Sequence, residues 1–199
     1  MSTARENILG RVRSSLRRPD GGAPAGIPEV RLTPGDVPVE VKIEQFRSAL
    51  EKLAAKTFLA RTPEAAGNHV RDLAGDRPVV MTNSPVLARC GIAYDSVPVA
   101  EAAVGITGAE YALADTGTLV VMSATEPRLA SLLPPVHIAV IESGCILSGL
   151  DELLQRDAKP GDRTASMVLI TGPSRTADIE QILVRGVHGP GELHVVILV

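Results

Sequence analysis

The chain has 199 residues, with 20 Lys+Arg against 23 Asp+Glu and a net charge of −3, a length that suits one α/β domain with an appended arm. It is 45% hydrophobic but has no Trp, two Phe and two Tyr, so the core must be aliphatic and the stacking platforms of single-strand nucleic-acid binders are missing. No apolar run nears the ~20 residues of a membrane span. Two cysteines, Cys90 and Cys145, suffice neither for a disulfide framework nor for four-cysteine ligation of an iron–sulfur cluster. These features predict a cytoplasmic domain that binds no cofactor itself, no nucleic acid and no membrane.

The N-terminus is basic: residues 1–20 hold five Arg and two acids, a local +3. Thr3-x-x-Glu6 matches a capping box, and Ile8, Val12 and Leu16 recur every four residues, which predicts an amphipathic helix over 3–18 stopped before Pro19. No apolar run follows the charges, so a secretory signal is not expected, although the Arg-rich composition with Ser14 and Ser15 also fits a transit peptide. The helix reads either as a solvated face of its own domain or as a docking arm. Residues 19–38 contain five Pro and four Gly and read as a linker. The expected division is therefore 1–38, helix and linker, and 39–199, a single α/β domain. Such a linker would also let the helix swap onto a neighbouring copy in a homo-oligomer.

From residue 40 the pattern alternates. Ile43, Phe46, Leu50 and Leu53 mark a helix over about 40–55, Lys56–Ala60 a strand, and Thr62-Pro63 the start of a helix to about Ala74. Pro78–Thr82 reads as a strand, and Asn83-Ser84-Pro85 caps a short helix toward Arg89. This alternation predicts a mainly parallel sheet covered on both faces. In the second half, Val104–Ala114 and Thr118–Ser123 are β-rich around the turn Asp115-Thr116-Gly117. A short helix is expected at Glu126–Leu132, strands at Val136–Glu142, Ser166–Thr171 and Leu193–Val199, and a helix at Leu150–Gln155.

Four strings in the second half go beyond pattern: Gly108-Ala109-Glu110-Tyr111-Ala112-Leu113-Ala114-Asp115-Thr116-Gly117-Thr118; Leu132-Leu133-Pro134-Pro135-Val136-His137; Thr171-Gly172-Pro173-Ser174-Arg175-Thr176-Ala177-Asp178-Ile179-Glu180; and Gly186-Val187-His188-Gly189-Pro190. In order and spacing, over about residues 100–199, they resemble the LUD domain family and its lactate-utilisation group. The resemblance implies an open three-layer α/β sheet of the NagB/RpiA/CoA transferase-like fold, with a small β-rich lobe. It also implies a role beside iron–sulfur partner proteins that carry the clusters in the oxidation of L-lactate to pyruvate. It assigns no catalytic residue.

Read from the residues alone, Thr171 to Thr176 follows a strand and precedes a predicted helix, the place where open α/β sheets bind ligands. Thr171, Gly172, Ser174, Arg175 and Thr176 offer hydroxyls, a guanidinium and helix-start amides to an anion, with Thr116, Gly117, Thr118 and His188 expected nearby at the C-terminal ends of the central strands. The alternative is a structural turn with Arg175 paired to an acid such as Asp178. No phosphate-loop lysine is present and Pro173 removes one N–H, which excludes a nucleoside-triphosphate loop. Asp115-Thr116-Gly117-Thr118 is read equally as a self-bonded turn. Glu110 and Asp115 are five apart and would face opposite sides of a strand, so they make no carboxylate pair. His137 in its apolar strand reads as neutral, and His188 and His194 lack a zinc-ligand spacing, so no metal is expected. Glu142-Ser143-Gly144 at a strand end resembles the glutamate of CoA transferases. No G-x-S-x-G elbow is present.

Two functions of different classes follow from this. One is an accessory, substrate-presenting subunit of a lactate-oxidising iron–sulfur system. The other is a stand-alone enzyme or binding protein for a small anion such as a sugar phosphate, CoA ester or carboxylate.

Overall fold

The computed structural model describes residues 3–15, 37–124, 126–177 and 183–199. The chain divides into two units, Met1–Arg31 and Leu32–Val199. In the first, α1 (Ala4–Ser15) opens on the expected capping box: Thr3 N–H donates to Glu6 Oε2 at 2.7 Å and Glu6 N–H to Thr3 Oγ1 at 3.2 Å. The reciprocal bonds satisfy two of the amides that a helix start leaves without partners. Leu16 and the linker lie outside the described residues.

The second unit follows its sequence pattern closely at first. Helix α2 (Val39–Lys52) buries Ile43, Phe46 and Leu50, the periodic positions. Strand β1 (Lys56–Ala60) leads into α3 (Pro63–Ala74), where Thr62 Oγ1 accepts from Ala65 N–H at 3.1 Å and Pro63 occupies the first turn. Strand β2 (Val79–Met81) and helix α4 (Pro85–Arg89) come next. Then the chain turns β-rich: β3 (Val104–Gly108), β4 (Tyr111–Leu113), β5 (Thr118–Met122), β6 (Val136–Glu142) and β7 (Ile146–Leu147). Helix α5 (Leu150–Arg156), β8 (Met167–Ile170), β9 (Arg175–Ala177), β10 (Leu183–Arg185) and β11 (Glu192–Leu198) complete it.

The central sheet runs β1-β11-β6-β3-β2, with every pairing parallel. Its strands alternate cleanly between two cores because both faces are covered. Val104, Ile106, Ile138, Val140 and Val196 face α3 and α4. Ala139, Ile141, Leu193, Val195 and Ile197 face Phe46 and Leu50 of α2 and residues of a second sheet. That second sheet, ordered β7-β4-β5-β8, is the β-rich lobe. Helices, central sheet, and α2 with the second sheet make three layers.

Three expectations need correction. The single strand expected over Val104–Ala114 is two: β3 belongs to the parallel sheet and β4 to the lobe, with the break after Gly108. The expected helix at Glu126–Leu132 is one tight turn, Arg128–Ser131. The helix expected to open after Ser174 does not start there, because Arg175–Ala177 pairs as antiparallel β9 with β10; residues 178–182 lie outside the described residues.

Candidate functional site

The last correction reshapes the predicted anion cradle. Strand β8 pairs with β5 in the lobe, so Thr171 leaves the lobe and not the C-terminal edge of the central sheet. The chain turns at Gly172, whose φ is +84° and whose position would place any Cβ 3.0 Å from the Leu53 side chain. Arg175–Ala177 then runs as a strand and not as a helix start. The Ser174 N–H donates instead to Pro190 O at 2.8 Å, and Ser174 O accepts from Gly186 N–H at 3.2 Å. The two loops therefore hold each other, and the helix amides invoked for the anion are not there.

The hydroxyls are also committed to one another. Thr118 Oγ1 lies 2.8 Å from Thr116 Oγ1 and 2.7 Å from Thr171 Oγ1, and Thr116 donates to Asp115 at 3.2 Å. Thr116 and Thr118 do share a face, but Thr118 is buried and the chain of hydroxyls ties the β4–β5 turn to the end of β8. Gly117 has a φ of +68° and lies against α2, where a Cβ would come within 2.8 Å of the Leu50 nitrogen. Arg175 donates through Nη2 to the carbonyl of Leu53, the residue that ends α2. A guanidinium at a helix C-terminus meets both an unpaired carbonyl and the negative end of the helix dipole. The structural reading of Arg175 thus has a partner, a carbonyl in place of the acid; Asp178 lies outside the described residues, as does the Thr176 side chain.

Five of the predicted residues nevertheless meet. Thr171, Gly172, Ser174, Arg175 and His188 line one cleft of about 370 Å³. Its other wall brings a residue that the sequence reading passed over, Arg128, with Ser131 beside it. Arg128 is exposed and makes no ion pair among the described residues. Among the described residues the lining holds Arg128 and Arg175, with His188 beside them, and no carboxylate, so the two guanidinium groups make it cationic. Arg128 stood in an expected helix with no motif around it, which is why no signal marked it.

A second cluster lies at the C-terminal ends of β2 and β3, where open parallel sheets bind ligands. Glu126 is 2% exposed, and its Oε2 has no hydrogen-bond partner among the described residues. Burial pushes its carboxyl above the ordinary carboxylate range, outweighing the downward pull of hydrogen bonds from the Thr82 and Ser84 hydroxyls and the Gly108 amide. Glu110 is raised as well, first by burial and further by the Glu126 charge, against its bond from Met122 N–H. The carboxylate neighbour of Glu110 is therefore Glu126 and not Asp115. The only sequence hint was an acid placed directly before Pro127.

The remaining candidates have structural partners. Glu142 ends β6 in a 2.9 Å ion pair with Arg89. His137 is fully buried, bonded at 2.9 Å to Thr107 Oγ1, and desolvation lowers its pKa to about 4, so it is neutral. Cys90 and Cys145 are free thiols, both pushed up by burial. Among the described residues there is no cluster of three potential metal ligands, and no helix is long and apolar enough to cross a membrane.

Comparison with known proteins places this geometry in a family. The LUD domain profile matches residues 98–198. The chain is 37% identical to the uncharacterized protein YkgG of Escherichia coli, over 67% of this chain and 68% of that one. It is 42% identical to lactate utilization protein C of Halalkalibacterium halodurans and 40% to that of Bacillus subtilis, in each case over 45% of this chain. Those matches span only 41% and 40% of the two relatives. Among solved structures, a DUF162 family protein from Deinococcus radiodurans shares the fold at a TM-score of 0.64, with 19% identity over 82% of this chain and 100% of that one. The profile covers half of the sequence and the E. coli relative is matched over two thirds of its length, so the chain belongs to the LUD domain family.

Proposed function

We propose that this protein takes part in L-lactate utilisation in the cytoplasm, as an accessory or substrate-presenting subunit that works beside iron–sulfur proteins. The observation that carries this is its 40–42% identity to proteins named lactate utilization protein C. Oxidation of lactate to pyruvate removes two electrons and two protons. In this reading the electrons pass to clusters held by the partners, and this chain holds or delivers the small acid. The basic α1 and the linker after it would serve as the docking arm. Anaerobic co-purification of the full chain with its iron–sulfur partners tests the assignment. Retention of the partners supports an accessory role; lactate oxidation by the isolated chain would overturn it.

The cationic cleft favours a second reading, a stand-alone enzyme or binding protein for a small anion. Turnover of a sugar phosphate, CoA ester or carboxylate by the isolated chain would establish it.

A further inference from the structure

We infer that Arg128 is the anion-anchoring residue of the cleft between the 171–175 and 186–190 loops, that the ligand is a small organic carboxylate, and that Arg175 is a positioning residue. The inference concerns one site on this chain and stands apart from the lactate assignment, since it is read by ligand binding without any partner.

Two arginines reach the cleft, and the structure gives them different work. Arg175 has already donated to the Leu53 carbonyl, which fastens the 171–175 loop to the end of α2. Moving it onto a ligand would cost that bond and leave a helix-terminal carbonyl without its donor. Arg128 carries no such commitment among the described residues, so its fork of donors is open to a ligand.

The backbone under Arg128 is fixed, which matters because a flexible cation loses entropy when it binds. Ala130 N–H donates to Pro127 O at 3.0 Å, Ser131 Oγ donates to the Arg128 carbonyl at 3.0 Å, and Leu133 N–H donates to Leu129 O at 3.0 Å. The turn also sits directly on the central sheet. Gly105 of β3 lies so close to the Ala130 carbonyl that there is no room for a Cβ. Arg128 thus projects from a platform bolted to β3, opposite a loop bolted to α2.

The lining chemistry selects the ligand class. A guanidinium with the Ser174 hydroxyl in the same lining suits a planar oxyanion, which Arg can take bidentately. Leu132, Ile170 and Pro173 supply apolar surface beside it, which a carboxylate with a short carbon body can cover and inorganic phosphate cannot.

The test is calorimetric titration of the full chain with L-lactate, pyruvate and inorganic phosphate, each also into Arg128→Ala, Arg128→Lys and Arg175→Ala. The expected results are tighter binding of an organic acid than of phosphate, and a loss of about tenfold or more in Arg128→Ala. Arg128→Lys should recover part of it, because the charge remains and the bidentate fork does not. Arg175→Ala should bind less weakly than Arg128→Ala but melt earlier than wild type. Wild-type affinity in Arg128→Ala, preference for phosphate, or failure of all three compounds to saturate the wild type would each overturn the inference. Circular dichroism of each variant separates lost binding from lost fold.

Discussion

Glu110 and Glu126 hold opposite ends of one residue: Met122 N–H donates to Glu110 Oε2 at 2.9 Å, and Met122 O accepts from Glu126 N–H at 2.9 Å. Met122 closes β5, so the lobe's hairpin is clamped between two acids that burial makes reluctant to ionise, Glu110 further so through the Glu126 charge. The two acids differ in what they have to lose. Glu110 accepts from the Met122 amide, whereas one oxygen of Glu126, Oε2, is buried without a donor among the described residues.

Glu126→Gln should therefore flatten the pH dependence of stability. A carboxyl whose folded pKa is raised binds a proton in the folded state that the unfolded state releases, so it destabilises the fold as pH rises through the carboxylate range. Above the folded pKa, the glutamine variant should be more stable relative to wild type by roughly 1–3 kcal/mol, the cost of an unsatisfied buried group. Well below the carboxylate range the two should converge. Urea denaturation at several pH values measures it, and parallel curves for the two proteins would show that Glu126 ionises without penalty.

The first half of the domain was legible because its punctuation is local. Thr62-Pro63 starts a helix and the spacing of Ile43, Phe46 and Leu50 marks a buried face without reference to anything distant. The second half was not, because its elements are decided by partners. Val104 to Leu113 has one continuous β pattern, yet which sheet each residue joins depends on β6 and β5. Arg175–Ala177 is a strand only because Leu183–Arg185 lies beside it. For the site, the loop residues around Ser174 and His188 were visible as motifs, and the cleft does collect them. Arg128 and Glu126 were not visible, since burial and open donors are properties of the folded surroundings.

Gly105 and Gly117 give a test of the packing that positions the cleft. Gly105→Ala must drive a methyl into the Ala130 carbonyl, and Gly117→Ala must place one against α2 at a φ of +68°. Each should cost roughly 1–3 kcal/mol in thermal or denaturant unfolding. Only Gly105→Ala displaces the turn bearing Arg128, so only it should also weaken carboxylate binding at temperatures where both variants remain folded.

Lys42 and Glu152 join α2 to α5 through a 3.2 Å ion pair, nearly removed from solvent, and Glu152 also accepts from Ser148 N–H at 2.7 Å. Burial raises the Glu152 pKa, but the Ser148 amide and Lys42 outweigh it and hold the carboxyl low. Its contribution is present above the unfolded pKa and lost as pH falls through the folded one. Lys42→Met should destabilise by roughly 1–3 kcal/mol at pH 7, because the Glu152 charge loses its buried partner and keeps only the more exposed Arg156 at 3.1 Å, while Lys42→Met with Glu152→Leu should recover most of that. A double-mutant cycle by chemical denaturation reads both, and additive losses would show the pair to be uncoupled.

His137 sets the acid limit of the fold. Its Nε2 is 2.9 Å from Thr107 Oγ1 and its Nδ1 is buried without a partner among the described residues. Protonation would place an N–H and a positive charge where no acceptor exists, which is why desolvation lowers its pKa to about 4 from 6.5. The folded state therefore refuses a proton that the unfolded state accepts. Stability from this residue is complete above the unfolded pKa and is lost as pH falls from about 6.5 to about 4, a total on the order of 3 kcal/mol. His137→Gln keeps a partner for Thr107 and removes the titration. Denaturation from pH 7 to pH 4 should show wild type losing stability over this window relative to the variant. The ring C–H signals of His137 should keep their neutral positions by NMR down to about pH 5. A wild-type curve that stays parallel to that of His137→Gln would mean that the imidazole finds an acceptor when it protonates, and that β6 rearranges around it.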